Sequence, residues 1–156
     1  MNGNAKGEIT PFDVADKLDI ASQNLLQGTA GIKPGNNMEL EQTLGDLTAL
    51  GYLAKYYALK IRAATNLGFF KLNGTEENKI TAINQLEQAL DVWKNYAKTA
   101  TAYYKPQLMA RTQMLDWNAL TTSVSGDIDM ARDAKKGDPI TNIGSNVLWD
   151  RDMRSQ

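Results

Sequence analysis

Residues 40–72 read LEQTLGDLTALGYLAKYYALKIRAATNLGFFKL, and apolar or small side chains recur along this stretch at alternating steps of four and three. The positions that share this spacing are Leu40, Leu44, Leu47, Gly51, Ala54, Ala58, Ile61, Thr65, Gly68 and Leu72. Only an α-helix brings them onto one face, and a helix of this length runs about 50 Å. Because such a helix is marginal alone in water, we expect partner helices along its whole length.

The composition fits one globular domain with neither nucleic acid nor membrane as a partner. Of the 156 residues, 42% are hydrophobic and 22% are charged, near the average of folded domains. Seventeen Lys and Arg residues against eighteen Asp and Glu residues leave a net charge of −1, with no basic block that could follow a phosphate backbone. No apolar run reaches the roughly 18 residues of a transmembrane helix.

The chain contains no His and no Cys, which removes most metal and redox chemistry. Disulfides, zinc fingers, iron–sulfur clusters and thiol nucleophiles all need Cys, and di-iron bundles need Glu-x-x-His motifs. The segment Asp127-Ile128-Asp129 looks like the start of a calcium loop, but residues 131–133 lack the expected oxygen ligand and glycine. The sequence therefore predicts no metal and no cofactor.

A clear start motif predicts the first helix. In Thr10-Pro11-Phe12-Asp13, the threonine can cap free amide groups, the proline fits the first helical position, and Asp13 can complete a shortened capping box. The buried stripe predicted for this helix is Val14, Leu18, Ala21 and Leu25. We expect the helix to end between Gly28 and Gly31, before a loop around Pro34.

Two further helices are predicted after the turn Asn73-Gly74. The third helix begins at Thr75 and carries apolar residues at three-four spacing as far as Tyr104, where Pro106 stops it. Residues 105–115 show neither a helical nor a strand period and are predicted to be an ordered connection. Asp116 is the expected cap of a fourth helix that closes at Gly137.

These elements predict an all-α fold, a four-helix up-and-down bundle with two long central helices and a poorly structured C-terminal tail. The short connection at Asn73-Gly74 makes the two long helices antiparallel neighbours, and the shorter helices cover the seam between them. The bundle is expected over residues 10–137. The tail, residues 138–156, is expected to be flexible or loosely docked through a few apolar side chains, which are Ile140, Ile143, Val147, Leu148 and Trp149.

Aromatic and polar residues around the end of the third helix form the best candidate contact surface. A sugar site needs an exposed ring for stacking together with polar groups that orient the ligand. The candidates for carbohydrate or partner contact are Tyr103, Tyr104, Gln107, Arg111 and Trp117. The alternative is that these aromatic rings face a second helix seam and only stabilise the fold.

Four charged residues could instead serve a catalytic site in a bundle cavity. These residues are Asp46, Lys60, Arg62 and Asp116. Ion pairing between helices and helix capping explain the same residues without catalysis, and the sequence contains no phosphate-binding loop or nucleophile elbow. We therefore expect no catalytic residue in this chain.

Several segments together suggest a family. TPFDVADKL at 10–18, LGDL at 44–47, LAKYYALKIRAA at 53–64, LEQALDVW at 86–93 and YYKPQ at 103–107 resemble a helical region of large secreted bacterial glycoside hydrolases. In these α-glucuronidase-like enzymes, that region follows the catalytic domain. The resemblance spans about residues 10–132. It implies a non-catalytic module that packs on the catalytic domain of the same longer polypeptide, with oligosaccharide as a further partner and Arg111 as a candidate for pairing with a uronate carboxylate. The alternative for Arg111 is an internal ion pair with an acid of the bundle.

Two function hypotheses follow. The leading hypothesis is a non-catalytic helical accessory module of a polysaccharide-degrading glycoside hydrolase, extracellular or periplasmic as part of a longer protein. The alternative is a stand-alone helical protein-interaction module, cytoplasmic if the chain is complete, because residues 1–7 lack the apolar core of a signal peptide.

Overall fold

The computed structural model describes residues 9–109 and 113–138 and confirms the all-α prediction. Helix α1 spans Pro11–Thr29, α2 spans Met38–Asn73, α3 spans Glu76–Tyr103 and α4 spans Leu120–Asp133. Two three-residue strands, β1 (Gln107–Met109) and β2 (Gln113–Leu115), lie between α3 and α4. The predicted tail lies outside the described residues except for Asp138.

Local capping interactions define the start of α1 and both ends of α2. Thr10 and Asp13 form the predicted capping box, with the Asp13 amide donating to Thr10 Oγ1 at 3.2 Å and the Thr10 amide donating to the Asp13 carboxylate at 2.8 Å. Asn37 caps α2 by accepting from the Leu40 amide at 3.0 Å. Gly74 ends α2 with a φ of 72°, a left-handed conformation that glycine adopts without a steric penalty.

Consecutive helices run antiparallel. Thr48 of α2 donates to Thr29 at the end of α1, whereas Phe69 near the other end of α2 stacks on Phe12 at 6.4 Å. In the same way the end of α3 lies beside the start of α2, where the Tyr103 ring contacts the backbone at Gly45. This is the up-and-down order predicted from the short connections.

Helix α4 returns antiparallel to α3 and parallel to α2. Trp93 Nε1 of α3 donates to Thr121 Oγ1 of α4 at 3.2 Å, and Arg132 of α4 pairs with Glu87 of α3 at 2.8 Å. Lys60 of α2 forms an ion pair with Asp127 of α4. Helix α4 therefore lies in the groove that α2 and α3 form together.

The core is concentrated between α2, α3 and α4. One cluster joins Tyr56 and Leu59 of α2 to Ala89 and Trp93 of α3 and to Val124 of α4, and the Tyr56 and Trp93 rings are 5.1 Å apart. The other buried residues of this core are Ala63, Ala82, Leu86, Ile128 and Ala131 in a second cluster, and Ala97, Ala100 and Trp117 in a third. Alanines at the α3 contact positions let the helices approach closely.

The stripe predicted for α1 is rotated from the face that the structure buries. Ala15 and Ser22 are the buried residues of this helix, whereas Val14 and Ala21 are exposed. The face of α1 that meets α2 includes Leu26, which packs against Gly51: an added Cβ on Gly51 would lie 2.9 Å from Leu26 Cδ2. Ala15 and Ser22 share this face with Leu26, whereas Val14 and Ala21 lie beside it.

The connection between α3 and α4 is more regular than predicted. Strands β1 and β2 pair antiparallel, with Gln107 opposite Leu115 and Leu108 opposite Met114. Because each strand has only three residues, periodicity in the sequence could not identify them. Helix α4 also begins later than predicted: Asp116 accepts hydrogen bonds from the Asn118 and Ala119 amides in a turn that precedes Leu120.

Candidate functional site

The aromatic residues predicted as a contact surface lie where α3 ends. Tyr103 and Tyr104 are each 39% exposed, and Gln107 is exposed at the start of β1. Arg111 lies outside the described residues. Tyr103, Tyr104 and Gln107 are therefore the accessible part of the predicted set.

Trp117, the remaining member of the set, is buried. Its exposed fraction is 6%, and its Nε1 donates to the Tyr96 hydroxyl at 3.1 Å. The ring packs against Ala97 and Ala100, so it anchors the start of α4 on α3. Its free faces are not available for stacking a sugar ring, and the alternative interpretation from the sequence, a structural aromatic, describes it correctly.

Tyr103 and Tyr104 both contact the first turns of α2. The Tyr103 ring covers the backbone at Gly45, where no larger residue would fit without displacing it. The Tyr104 hydroxyl donates to Asp46 Oδ1 at 2.7 Å, and this hydrogen bond raises the pKa of Tyr104. The two rings thus close the junction between α2 and α3 and leave part of their edges in solvent.

The four charged residues considered for catalysis lie at separate places. Asp46 accepts from Tyr104, and Asp116 accepts two backbone amides before α4. Lys60 pairs with Asp127 across the α2–α4 contact, and Arg62 pairs with acids of α1. Among the described residues, no group of three His, Cys, Asp or Glu side chains could hold a metal ion. This separation favours structural roles for all four.

An ion-pair network fastens α1 to α2. Arg62 binds Asp16 at 2.6 Å and also Asp19, and Lys55 Nζ lies 2.7 Å from Asp19 Oδ1. Burial raises the pKa of Asp19, but the hydrogen bonds from Lys55 and Arg62 outweigh burial and lower it. Burial likewise opposes the charge of Arg62, and its two aspartate partners raise the pKa of the guanidinium. Both partners are therefore held in their charged forms.

An open groove of about 410 Å³ lies between α2 and α4. Its floor is apolar and its rim carries lysines and aspartates. The apolar lining residues are Ala63, Ala64, Leu67, Leu86, Met130 and Ala134, and the charged ones are Lys60, Lys71, Asp127, Asp133 and Asp138. The sequence singled out Lys60 and Asp127 of this groove for other reasons, but it did not identify the groove, because the walls come from α2, α3 and α4, which are distant along the chain.

One long side of α2 has no partner helix in the described structure. We call it the α2 arc, and it consists of Leu50, Ala54, Tyr57, Ile61, Gly68 and Leu72. These residues are spaced by three, four or seven positions and share one face for about 33 Å. Leu50, Tyr57 and Leu72 are 53%, 51% and 56% exposed.

The α2 arc carries no charge. Between Leu47 and Phe70 the charged residues of α2 are Lys55, Lys60 and Arg62, and all three pair with α1 or α4 on other sides of the helix. Leu25 of the α1 stripe packs beside Gly51 of α2, since its Cβ lies 3.3 Å from the position that a Cβ on Gly51 would take. No helix in residues 9–109 and 113–138 is long and apolar enough to cross a membrane. Monomeric proteins rarely leave a continuous apolar face of this length uncovered.

The sequence contained a signal for this surface. The arc shares Ala54, Ile61, Gly68 and Leu72 with the periodic stripe of residues 40–72, for which partner helices are expected along the whole length. In comparisons with known proteins, no family model, no curated protein and no solved structure matches this chain.

Proposed function

We propose that this protein is a non-catalytic helical accessory module that packs its α2 arc against another folded domain. The observation that carries the proposal is the uncharged, half-exposed face of α2 that no described element covers. Contiguous apolar patches of this kind mark protein interfaces in soluble proteins. The small residues Ala54 and Gly68 within the arc would let a partner helix approach closely.

The separation of the polar candidates supports a non-catalytic role. Acid–base catalysis needs groups that converge on one reacting atom within hydrogen-bond distance. Asp46, Arg62 and Asp116 instead each complete a different structural contact. The chain therefore has an apolar face that could pack on another domain, and its polar candidates stabilise the fold at separate places. This combination fits an accessory module better than an enzyme.

The proposed setting is a polysaccharide-degrading glycoside hydrolase of the α-glucuronidase-like kind. This proposal rests on the resemblance of the sequence, and it identifies the covering domain with the catalytic domain of the same longer polypeptide, in an extracellular or periplasmic enzyme. The alternative is a stand-alone module that binds a separate protein through the same arc. An open reading frame that continues upstream of the codon for Asn2 favours the accessory module and counts against the stand-alone protein.

Cysteine labelling tests whether the arc is covered. Because the chain has no native Cys, Leu72→Cys on the arc and Ile20→Cys, on α1 outside its apolar stripe, each introduce one thiol. Both positions are more than half exposed in the chain itself, at 56% and 59%. We expect the two thiols to react at similar rates in the isolated chain.

In the native polypeptide as its source organism produces it, we expect the thiol of Leu72→Cys to be labelled about tenfold more slowly than that of Ile20→Cys, or slower still. Such protection is typical of a site buried in an interface. Equal reactivity of the two thiols in both preparations would overturn the proposal. Protection that disappears on dilution favours a separate partner, whereas protection independent of concentration favours a domain of the same chain.

Sugar contact is proposed only for the exposed edges of Tyr103 and Tyr104 with Gln107. Acidic and neutral oligosaccharides should then shift the amide resonances of residues 103–107, and Tyr103→Ala should weaken binding while the helices stay folded. Tyr57→Ala serves as the matched control, because Tyr57 is an exposed tyrosine on the α2 arc. Oligosaccharides that leave these resonances unchanged, or a Tyr103→Ala variant that loses about 3–5 kcal/mol of stability as a core aromatic would, exclude sugar contact here.

A further inference from the structure

The hydrogen bond between Tyr104 and Asp46 leaves two acceptor atoms free where α3 ends. The Tyr104 hydroxyl donates its proton to Asp46 Oδ1 at 2.7 Å, so the hydroxyl oxygen can still accept a hydrogen bond. Among the described residues, Oδ2 of the exposed Asp46 has no hydrogen-bond or ion-pair partner. We call the Tyr104 hydroxyl oxygen and Asp46 Oδ2 the acceptor pair.

The part of α2 that carries the acceptor pair is negatively charged. Residues 38–54 include three acids, Glu39, Glu41 and Asp46, and no Lys or Arg. The first cation of the helix, Lys55, is paired with an acid of α1. Charge repulsion therefore opposes the binding of an anion at this end of α2.

The two tyrosine rings beside the acceptor pair are held in place by the helices. Tyr103 packs on the backbone at Gly45, and the Tyr104 ring lies 6.4 Å from the buried Trp117 ring. Each tyrosine is still 39% exposed. A ring that is already fixed can pack against the C–H groups of a sugar without a further loss of side-chain entropy.

We propose that the acceptor pair, together with Tyr103 and Gln107, binds neutral sugar units in preference to uronates. The inference rests on the proposed sugar contact and names its ligand class. Adjacent hydroxyl groups of a neutral sugar can donate to both atoms of the acceptor pair, and the exposed Gln107 amide can donate to a sugar oxygen. An ionised uronate carboxylate offers only acceptors to the same atoms and is repelled by the charge of Asp46.

Matched oligosaccharides test this preference in the full chain. Oligomers of glucose and of mannose are compared with those of glucuronic and mannuronic acid, which carry a carboxylate in place of the C6 hydroxymethyl group. Dissociation constants are measured from the amide shifts of residues 45–46 and 103–107 at low ionic strength. We expect the neutral oligomers to bind about fivefold more tightly, as for repulsion between two exposed charges about 5 Å apart. The preference should shrink in about 1 M NaCl, which screens such charges.

Two single variants test whether Asp46 is the source of the preference. Asp46→Asn removes the charge at nearly constant size, so the preference for neutral oligomers should fall below about twofold. Lys105→Gln is the matched control, because Lys105 is exposed next to Tyr104 along the chain but carries the opposite charge. This control should keep the preference at about fivefold or above. Circular dichroism checks that both variants are folded.

The possible results separate the preference from the sugar contact itself. Uronate oligomers that bind as tightly as the neutral ones, or more tightly, overturn the preference and leave the sugar contact in place. A preference that Asp46→Asn does not reduce also overturns the inference, because the discrimination then has another source. If no oligomer shifts these resonances, the sugar contact is wrong and the preference fails with it.

Discussion

The two sides of α2 differ in how completely they are packed. On the side of α3 and α4, α2 contributes the buried residues Tyr56, Leu59 and Ala63 to clusters against which partly buried apolar residues also pack. On the side of α1, the buried residues of the shorter helix are Ala15 and Ser22, and larger apolar side chains remain partly in solvent. The comparison shows that α2 meets α3 and α4 through large buried side chains, whereas its contact with α1 buries small ones such as Ala15 and Ser22.

The same difference appears in the kinds of contact on each side. The α3–α4 side is held by aromatic and aliphatic packing, with Trp93 touching both Tyr56 and Tyr96. The α1 side depends more on the packing of Leu26 against Gly51 and on the ion pairs of Asp19 and Arg62. Buried rings stabilise a fold more than partly exposed ion pairs do. Mutations on the α3–α4 side should therefore lower the free energy of unfolding more than mutations on the α1 side.

The largest effect is expected at the centre of the core. Trp93→Ala removes a ring that is 8% exposed and breaks the hydrogen bond from its Nε1 to Thr121 Oγ1. We expect a loss of about 3–5 kcal/mol in the free energy of unfolding, measured by urea denaturation. Tyr57→Ala is the control on the arc and should cost less than about 1 kcal/mol. Losses of similar size would show that the α2 arc is packed as well as the core.

A smaller effect is expected where α1 approaches α2. Gly51→Leu inserts a side chain where a Cβ alone would lie 2.9 Å from Leu26 Cδ2, so we expect overpacking to cost about 1–3 kcal/mol. Gly68→Leu is the matched control, because no atom lies within 4 Å of a Cβ at that position. Hydrogen exchange should show faster exchange in α1 of Gly51→Leu while α3 stays protected. Equal loss of protection in α1 and α3 would contradict an effect confined to the contact between α1 and α2.

The smallest effect is expected from the ion pairs of α1. Asp19→Asn should lower the free energy of unfolding by about 1–2 kcal/mol at neutral pH. The loss is limited because Arg62 keeps Asp16 as a partner. Asp91→Asn, which removes an exposed pair with Lys94, should cost less than about 0.5 kcal/mol.

The pH dependence sharpens this prediction. The folded state lowers the pKa of Asp19, so its stabilisation is complete above the ordinary aspartate pKa and is lost as pH falls through the lowered value. The difference in the free energy of unfolding between the original chain and Asp19→Asn should therefore become smaller below about pH 4. A difference that stays constant in acid would contradict a charged Asp19 as the source of the stabilisation.

The predicted contact surface shows how far sequence reasoning reaches at the site. Tyr103, Tyr104 and Gln107 are partly exposed, as a contact surface requires. Trp117 was selected for the same reason, as an aromatic residue near the end of the third helix, but it is buried. The chain turns back at β1 and β2 and places its ring against Ala97 and Ala100. That reversal depends on a hairpin too short to give a period, so the sequence could not separate the buried ring from the exposed ones.

Within residues 9–109 and 113–138, the sequence by itself determined the number of helices, their order and most of their ends. These features depend on interactions between residues close along the chain, such as the Thr10–Asp13 capping box and the left-handed Gly74. Only the tertiary structure decided which side of α2 became the core. Apolar residues lie on nearly every side of this helix, so its period defines several equivalent faces, and the contacts with α3 and α4 select Tyr56, Leu59 and Phe70 over the stripe that includes Leu72.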